Sequence, residues 1–100
     1  MTTTTIIDNK TAADVTQTGS VANGSSVTFG VSGLSDKEGV VIEQLDDGGG
    51  YSAIRYLHES GKEMVARMSV TRTVIKVNGP IDYRINKPAT ANGVSIVEYS

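Results

Sequence analysis

The 100-residue chain has no cysteine and no tryptophan, a single histidine, a single phenylalanine and two prolines. The missing cysteines exclude disulfide staples, thiolate zinc sites, iron–sulfur ligation and cysteine nucleophiles, and they fit folding in a reducing compartment. No segment approaches the ~18 consecutive apolar residues of a membrane span, so no membrane partner is expected. Met1 and the threonines at 2–5 form neither the basic n-region nor the apolar core of a signal peptide, and secretory export is not expected. Nine basic residues stand against eleven acidic ones, for a net charge of −2, and no Lys/Arg run occurs. A nucleic-acid-binding domain carries a basic footprint, so nucleic acid is not an expected partner. Leucine (3) and alanine (7) are scarce, which argues against a helix bundle.

Valine, isoleucine and threonine together supply 31 residues. β-branched side chains are stiff at χ1 and fit a pleated, half-buried surface. With 38% hydrophobic and 20% charged residues the chain is neither collagen nor a disordered tail. One hundred residues make one domain, and without disulfides its stability must come from the core or from association.

Apolar residues alternate with period 2 in several stretches, the pattern of half-buried strands. Val27, Phe29 and Val31 share a face; residues 40–45 are nearly continuously apolar; residues 51–58 alternate again. Residues 64–77 are long for one strand, so a bend is expected near 69–72. Ile81, Tyr83 and Ile85 point one way, with Tyr83 expected in the core, and residues 94–99 form the last strand. The strand signals recur about every 10–14 residues, the spacing of a sandwich or barrel. The expected fold is therefore an all-β antiparallel sandwich, jelly-roll or Ig-like, of about seven to eight short strands. Residues 1–24 are polar and Thr-rich, holding seven of the 11 threonines. They are expected to form an extended N-terminal arm, with a short strand at 3–7 as one option, ahead of a sandwich domain over 25–100.

The residues offer no catalytic constellation. His58 with Glu59 and Glu63 is a meagre set for a metal that usually takes three or four ligands, several of them His or Cys. Asp46-Asp47 before Gly48–Gly50 has adjacent carboxylates, not the alternating ligands of a calcium loop, and reads as a hairpin turn. The same glycines lack the Gly-Lys-Ser/Thr of a phosphate loop. Two glycosylation sequons, at Asn9 and Asn23, come without an export signal. No cofactor, metal or enzymatic activity is expected. Tyr51, Tyr56, Tyr83 and Tyr99 are the main aromatic resource. They leave open a second reading, a carbohydrate-binding or adhesin-like β module, although Tyr51 and Tyr56 fall on opposite parities.

Three stretches carry a resemblance: residues 39–51 (GVVIEQLDDGGGY), residues 77–89 (VNGPIDYRINKPA) and residues 93–97 (GVSIV). An acidic–glycine hairpin, a Gly-x-Tyr-Arg-Ile/Val strand, a Lys/Arg-Pro-Ala loop and a Gly-Val-x-Val end strand resemble the small β-sandwich virion proteins of tailed bacteriophages. The resemblance spans about residues 27–100 and leaves out the Thr-rich segment. It implies a non-enzymatic structural role as a capsid decoration protein, a head-fibre base or a tail accessory. It also implies assembly into a homo-oligomer, a trimer before a dimer, and contact with the major capsid protein or other virion proteins. Its location would be the capsid surface, after synthesis in the host cytoplasm. The expected contact residues are Thr3, Thr4, Thr5, Ile6 and Ile7, adding as a strand to a neighbour's sheet edge, with Tyr51 and Tyr56. On this reading, deletion of residues 1–20 should spare the fold and weaken assembly, as thermal melts and solution mass would report.

Overall fold

A computed structural model describes residues 3–57 and 63–99; for residues 55–57, 63 and 64 it describes the backbone alone. Among the described residues there are eleven strands and no helix: β1 (Thr3–Lys10), β2 (Asp14–Val21), β3 (Ser26–Ser32), β4 (Gly39–Leu45), β5 (Tyr51–Ala53), β6 (Arg55–Leu57), β7 (Glu63–Val65), β8 (Arg67–Ser69), β9 (Val74–Asn78), β10 (Ile81–Lys87) and β11 (Val94–Tyr99). The first sheet has the order β1-β11-β3-β9. The second has the order β2-β10-β4-β5, with β8 also on β4. β6 and β7 form a separate two-stranded ribbon, and every named strand pair is antiparallel.

The all-β sandwich expected from the alternation is the fold found. β3 shows why: Val27, Phe29 and Val31 are buried while Ser26 and Ser32 are exposed. Strands from both sheets meet in one core that includes Phe29, Ile75 and Ile96 from the first sheet and Val40, Ile42 and Ile85 from the second. Phe29 and Tyr83 meet edge to face across the sheets, with centroids 5.1 Å apart and planes at 71°. Tyr83 is buried, as its parity predicts. Its ring lies over Gly19 on the paired strand, where a Cβ would strike the phenol.

The strand count exceeds the expected seven or eight for two reasons. The hairpin from 51 to 69 is broken at Ile54 and Ala66. There, β4 changes neighbours: Gly39–Val41 pair with β8, and Glu43–Leu45 pair with β5. The changeover is a closed ring of three backbone bonds. The Ile42 amide donates to the Ala66 carbonyl (2.9 Å), Ala66 to Ile54 (2.8 Å), and Ile54 to Ile42 (3.0 Å). Beyond that ring, β6 and β7 pair only with each other. The expected bend near 69–72 is present as a turn closed by reciprocal bonds between Ser69 and Arg72.

The second reason corrects the expected arm. Residues 3–21 are not set apart from the sandwich: β1 is the edge strand of the first sheet and β2 the edge strand of the second. Ile7 is 3% exposed in the core, and Val21 is buried as well. Threonine and serine tolerate an edge position because β-branched residues suit strands even where only one side is dry. The deletion expectation reverses accordingly. Removing residues 1–20 strips one edge strand from each sheet together with Ile7. Thermal melts of that variant should show no cooperative transition; a retained transition near the parent midpoint would show that both strands are dispensable.

Candidate interaction surface

The outward face of the first sheet is built from two rows that cross all four strands. Thr3, Tyr99, Thr28 and Lys76 form one row; Thr5, Val97, Gly30 and Val74 form the next. Seven of these eight residues are uncharged, Lys76 being the exception. Val74 is 56% exposed. The Tyr99 ring and a Val97 methyl lie against Gly30, where a Cβ would sit 3.3 Å and 3.5 Å from them. Glycine at this point lets the tyrosine lie flat and leaves a shallow depression of about 400 Å³ with Ser32, Thr73, Val74 and Ser95 on its walls.

The opposite outward face differs in charge. Thr18, Arg84, Glu43 and Ala53 form one of its rows. Arg84 donates from Nε (2.9 Å) and Nη2 (2.7 Å) to one Glu43 oxygen, and its guanidinium lies 4.3 Å from the centre of the Tyr51 ring. Nearby, the Ser20 hydroxyl donates to Asp82. This face is a network of paired charges, whose members gain little from a further partner.

One end of the sandwich is held by buried polar groups. Lys87 is 0% exposed, and its ammonium donates to the Ala12 carbonyl (2.8 Å), the Pro88 carbonyl (2.9 Å) and the Thr90 hydroxyl (3.3 Å). An ammonium has three donors, and all three are used. Burial, and then the nearby Lys10 charge, pull Lys87 below the usual lysine range, with Glu38 and Asp14 opposing. Asp14 accepts from the Thr16 hydroxyl (2.7 Å), the Thr16 amide (2.9 Å), Lys10 (3.0 Å) and Gln17 (3.3 Å). Those donors, the Thr16 pair foremost, hold its carboxyl well below the usual carboxylate range. Glu38 accepts the Ser35 and Ala91 amides, both at 2.8 Å, and is lowered by those same two bonds. Tyr83, buried and 3.5 Å from the Glu98 carboxylate, is pushed up to about 12. Each of these groups has its partners inside the chain, so the cluster ties loops together rather than presenting a reactive centre.

The expected contact residues are therefore divided. Thr3 and Thr5 lie on the uncharged face beside Tyr99 and Val97. Thr4 is exposed opposite Glu98, Ile6 is half-buried against the core, and Ile7 is buried. Tyr51 is on the other sheet with Arg84 across its ring. The Tyr56 side chain lies outside the described residues, as do His58 and Glu59, so the imagined metal set is not described. Among the described residues, no group of three or more His, Cys, Asp or Glu side chains could hold a metal, and no helix is long and apolar enough to cross a membrane. Asp46 closes its turn as expected, its Oδ1 accepting the Gly48 and Gly50 amides at 3.0 Å each. Val74, Val97 and Tyr99 were not singled out as contacts from the sequence. The available signal was that residues 95, 97 and 99 share a parity opposite to the core residues Val94 and Ile96.

These features define an all-β, two-sheet sandwich with one outward face that carries a single lysine in its two rows, and a separate two-stranded ribbon. The fold is shared with a solved structure, "Crystal structure of SPBc2 prophage-derived protein YomS", at a TM-score of 0.70 over 97% of this chain and 88% of that one, with 14% sequence identity. No family model matches the sequence, and no curated protein does.

Acid titration tests the Asp14 cluster. A carboxyl lowered on folding lends stability that is complete at neutral pH and is lost as pH falls through the ordinary carboxylate value, about 3.9, toward the folded one. Asp14→Asn should lower Tm at pH 7 and flatten the dependence of Tm on pH below about 4. Parallel Tm–pH curves for parent and variant would show that Asp14 contributes nothing specific.

Proposed function

We propose that this chain is a non-enzymatic structural protein of a tailed-bacteriophage virion. It acts as a decoration protein that binds the head surface and neighbouring copies. The observation that carries the reading is the fold shared, over nearly the whole chain, with a prophage-derived protein. The resemblance of residues 39–51, 77–89 and 93–97 to small phage β-sandwich proteins points the same way. The uncharged face supplies a surface suited to the task. Laying it on a partner desolvates a single lysine per copy among its eight row residues, whereas the opposite sheet would have to bury an Arg–Glu pair, at a cost.

On this reading Thr5, Val97, Gly30 and Val74 form the centre of the contact, and the assembly is a homo-oligomer, a trimer, seated on the major capsid protein. The carbohydrate-binding alternative draws no support from Tyr51, whose ring face is engaged by Arg84.

The test mixes purified protein with undecorated capsids and measures sedimentation with the particles. Val74→Glu places an acidic charge on this face, on its edge strand β9, at a side chain that is already exposed. It should change folding stability by no more than about 0.5 kcal/mol and reduce particle binding at least tenfold, roughly the loss from one buried unpaired charge at an interface. A parent protein that stays monomeric and never binds particles would overturn the proposal.

A further inference from the structure

β1 is fastened less firmly than the strand two places along. Of its eight residues only Ile7 is buried, with Ile6 half-buried, whereas β3 buries four of seven. Its pairing with β11 slips twice, between Thr5 and Ile7 and again between Ile7 and Lys10. Inside the second slip Asn9 adopts a φ of 47°, in the left-handed region. Its amide donates to the Ser95 hydroxyl instead of a ladder carbonyl. The chain that follows is fixed. Lys10 reaches Asp14, the Thr11 carbonyl accepts the Thr90 amide (2.9 Å), and the Ala12 carbonyl accepts Lys87. A lightly held strand thus ends on a pinned pivot, with only three residues between it and the next strand in the other sheet.

We infer that the edge of β11 is a binding site for the β1 strand of a second copy, and that copies join by exchanging residues 3–8 about a pivot at Asn9. The identity of the occupant follows from the fold. The sequence that β11 is built to accept is that of β1, with Ile7 entering the core opposite Ile96. Six extended residues reach about 20 Å, the length of the six-residue β11 whose edge they cover. Short connections between exchangeable elements favour such swapping. Donation from each copy to the next is a heterologous contact that closes as a ring, which suits the trimer. The inference rests on the virion reading for where the exchange is used, and not for the exchange itself.

The full-length Thr5→Cys/Val97→Cys variant tests it. The two positions are Cα partners, directly opposite residues lie within disulfide range, and the parent has no cysteine to interfere. The variant is oxidised at low and at high protein concentration and run on a denaturing gel without reductant. The expected result is covalent dimers and trimers at high concentration that collapse to monomer on reduction. Intramolecularly cross-linked monomer at every concentration would overturn the inference. Hydrogen exchange on the unaltered chain reads the same property without substitution: β1 amides should exchange about tenfold or more faster than those of β3, and equal protection would count against exchange. Particle binding is scored separately. With capsid binding measured on the unaltered chain, covalent trimers of the variant without capsid binding would keep the exchange and remove the virion reading; capsid binding with monomeric cross-links would do the reverse.

Discussion

The Lys87 ammonium is the point on which the two sheets depend. Among the connections that pass from one sheet to the other are those from β1 to β2 and from β10 to β11. Lys87 joins them, through Ala12 in one connection and Pro88 and Thr90 in the other. A buried cation without partners would be among the most expensive features a small domain could carry. Here three neutral oxygens replace its water, and the same bonds fix how the connections cross. Around it, Asp14 orders the start of β2, and Glu38 links the turn before β4 to the loop before β11. The core of Phe29, Ile42, Ile85 and Ile96 supplies the apolar burial, while this polar end ties the two connections together.

The two outward faces then follow from what each sheet has left over. On the second sheet, charges on neighbouring strands satisfy one another: Arg84 serves Glu43 and covers Tyr51. On the first, threonine, valine and a tyrosine lying on glycine leave almost nothing to satisfy. An uncharged face of this kind carries little desolvation penalty, so association can be driven by area alone. The same sheet holds the lightly fastened β1 at its edge, so face and edge are available to one partner at once.

Most of the sandwich was legible because alternation reports a surface that is wet on one side and dry on the other. β3, β9, β10 and β11 all have that character, and β4 was marked instead by its nearly continuous apolar run. β1 and β2 show neither. β1 has exposed threonines on both faces, and the inward face of β2 carries Gln17 and Gly19; Ile7 and Val21 are isolated buried apolar positions, so the pattern that marks a strand is missing and the segment read as an arm. Lys87 was legible in principle, since 81, 83, 85 and 87 share the inward parity, but a lysine on a core face reads as an end of strand unless its acceptors are known. Tyr51 was identified as an available aromatic because the sequence does not show that a residue 33 positions later in the chain stacks on it. The contact face itself was missed because it is defined by rows running across four strands that are remote in sequence.

The ring of three backbone bonds at Ile42, Ile54 and Ala66 has a consequence for how this fold can vary. It satisfies the donors and acceptors of the strand junction locally, before the ribbon begins. The sandwich therefore closes its hydrogen-bond accounts without the ribbon beyond it. Length and composition on the far side of that junction can drift between relatives, or be replaced in the laboratory by a foreign loop, while the sheets and their register stay as they are.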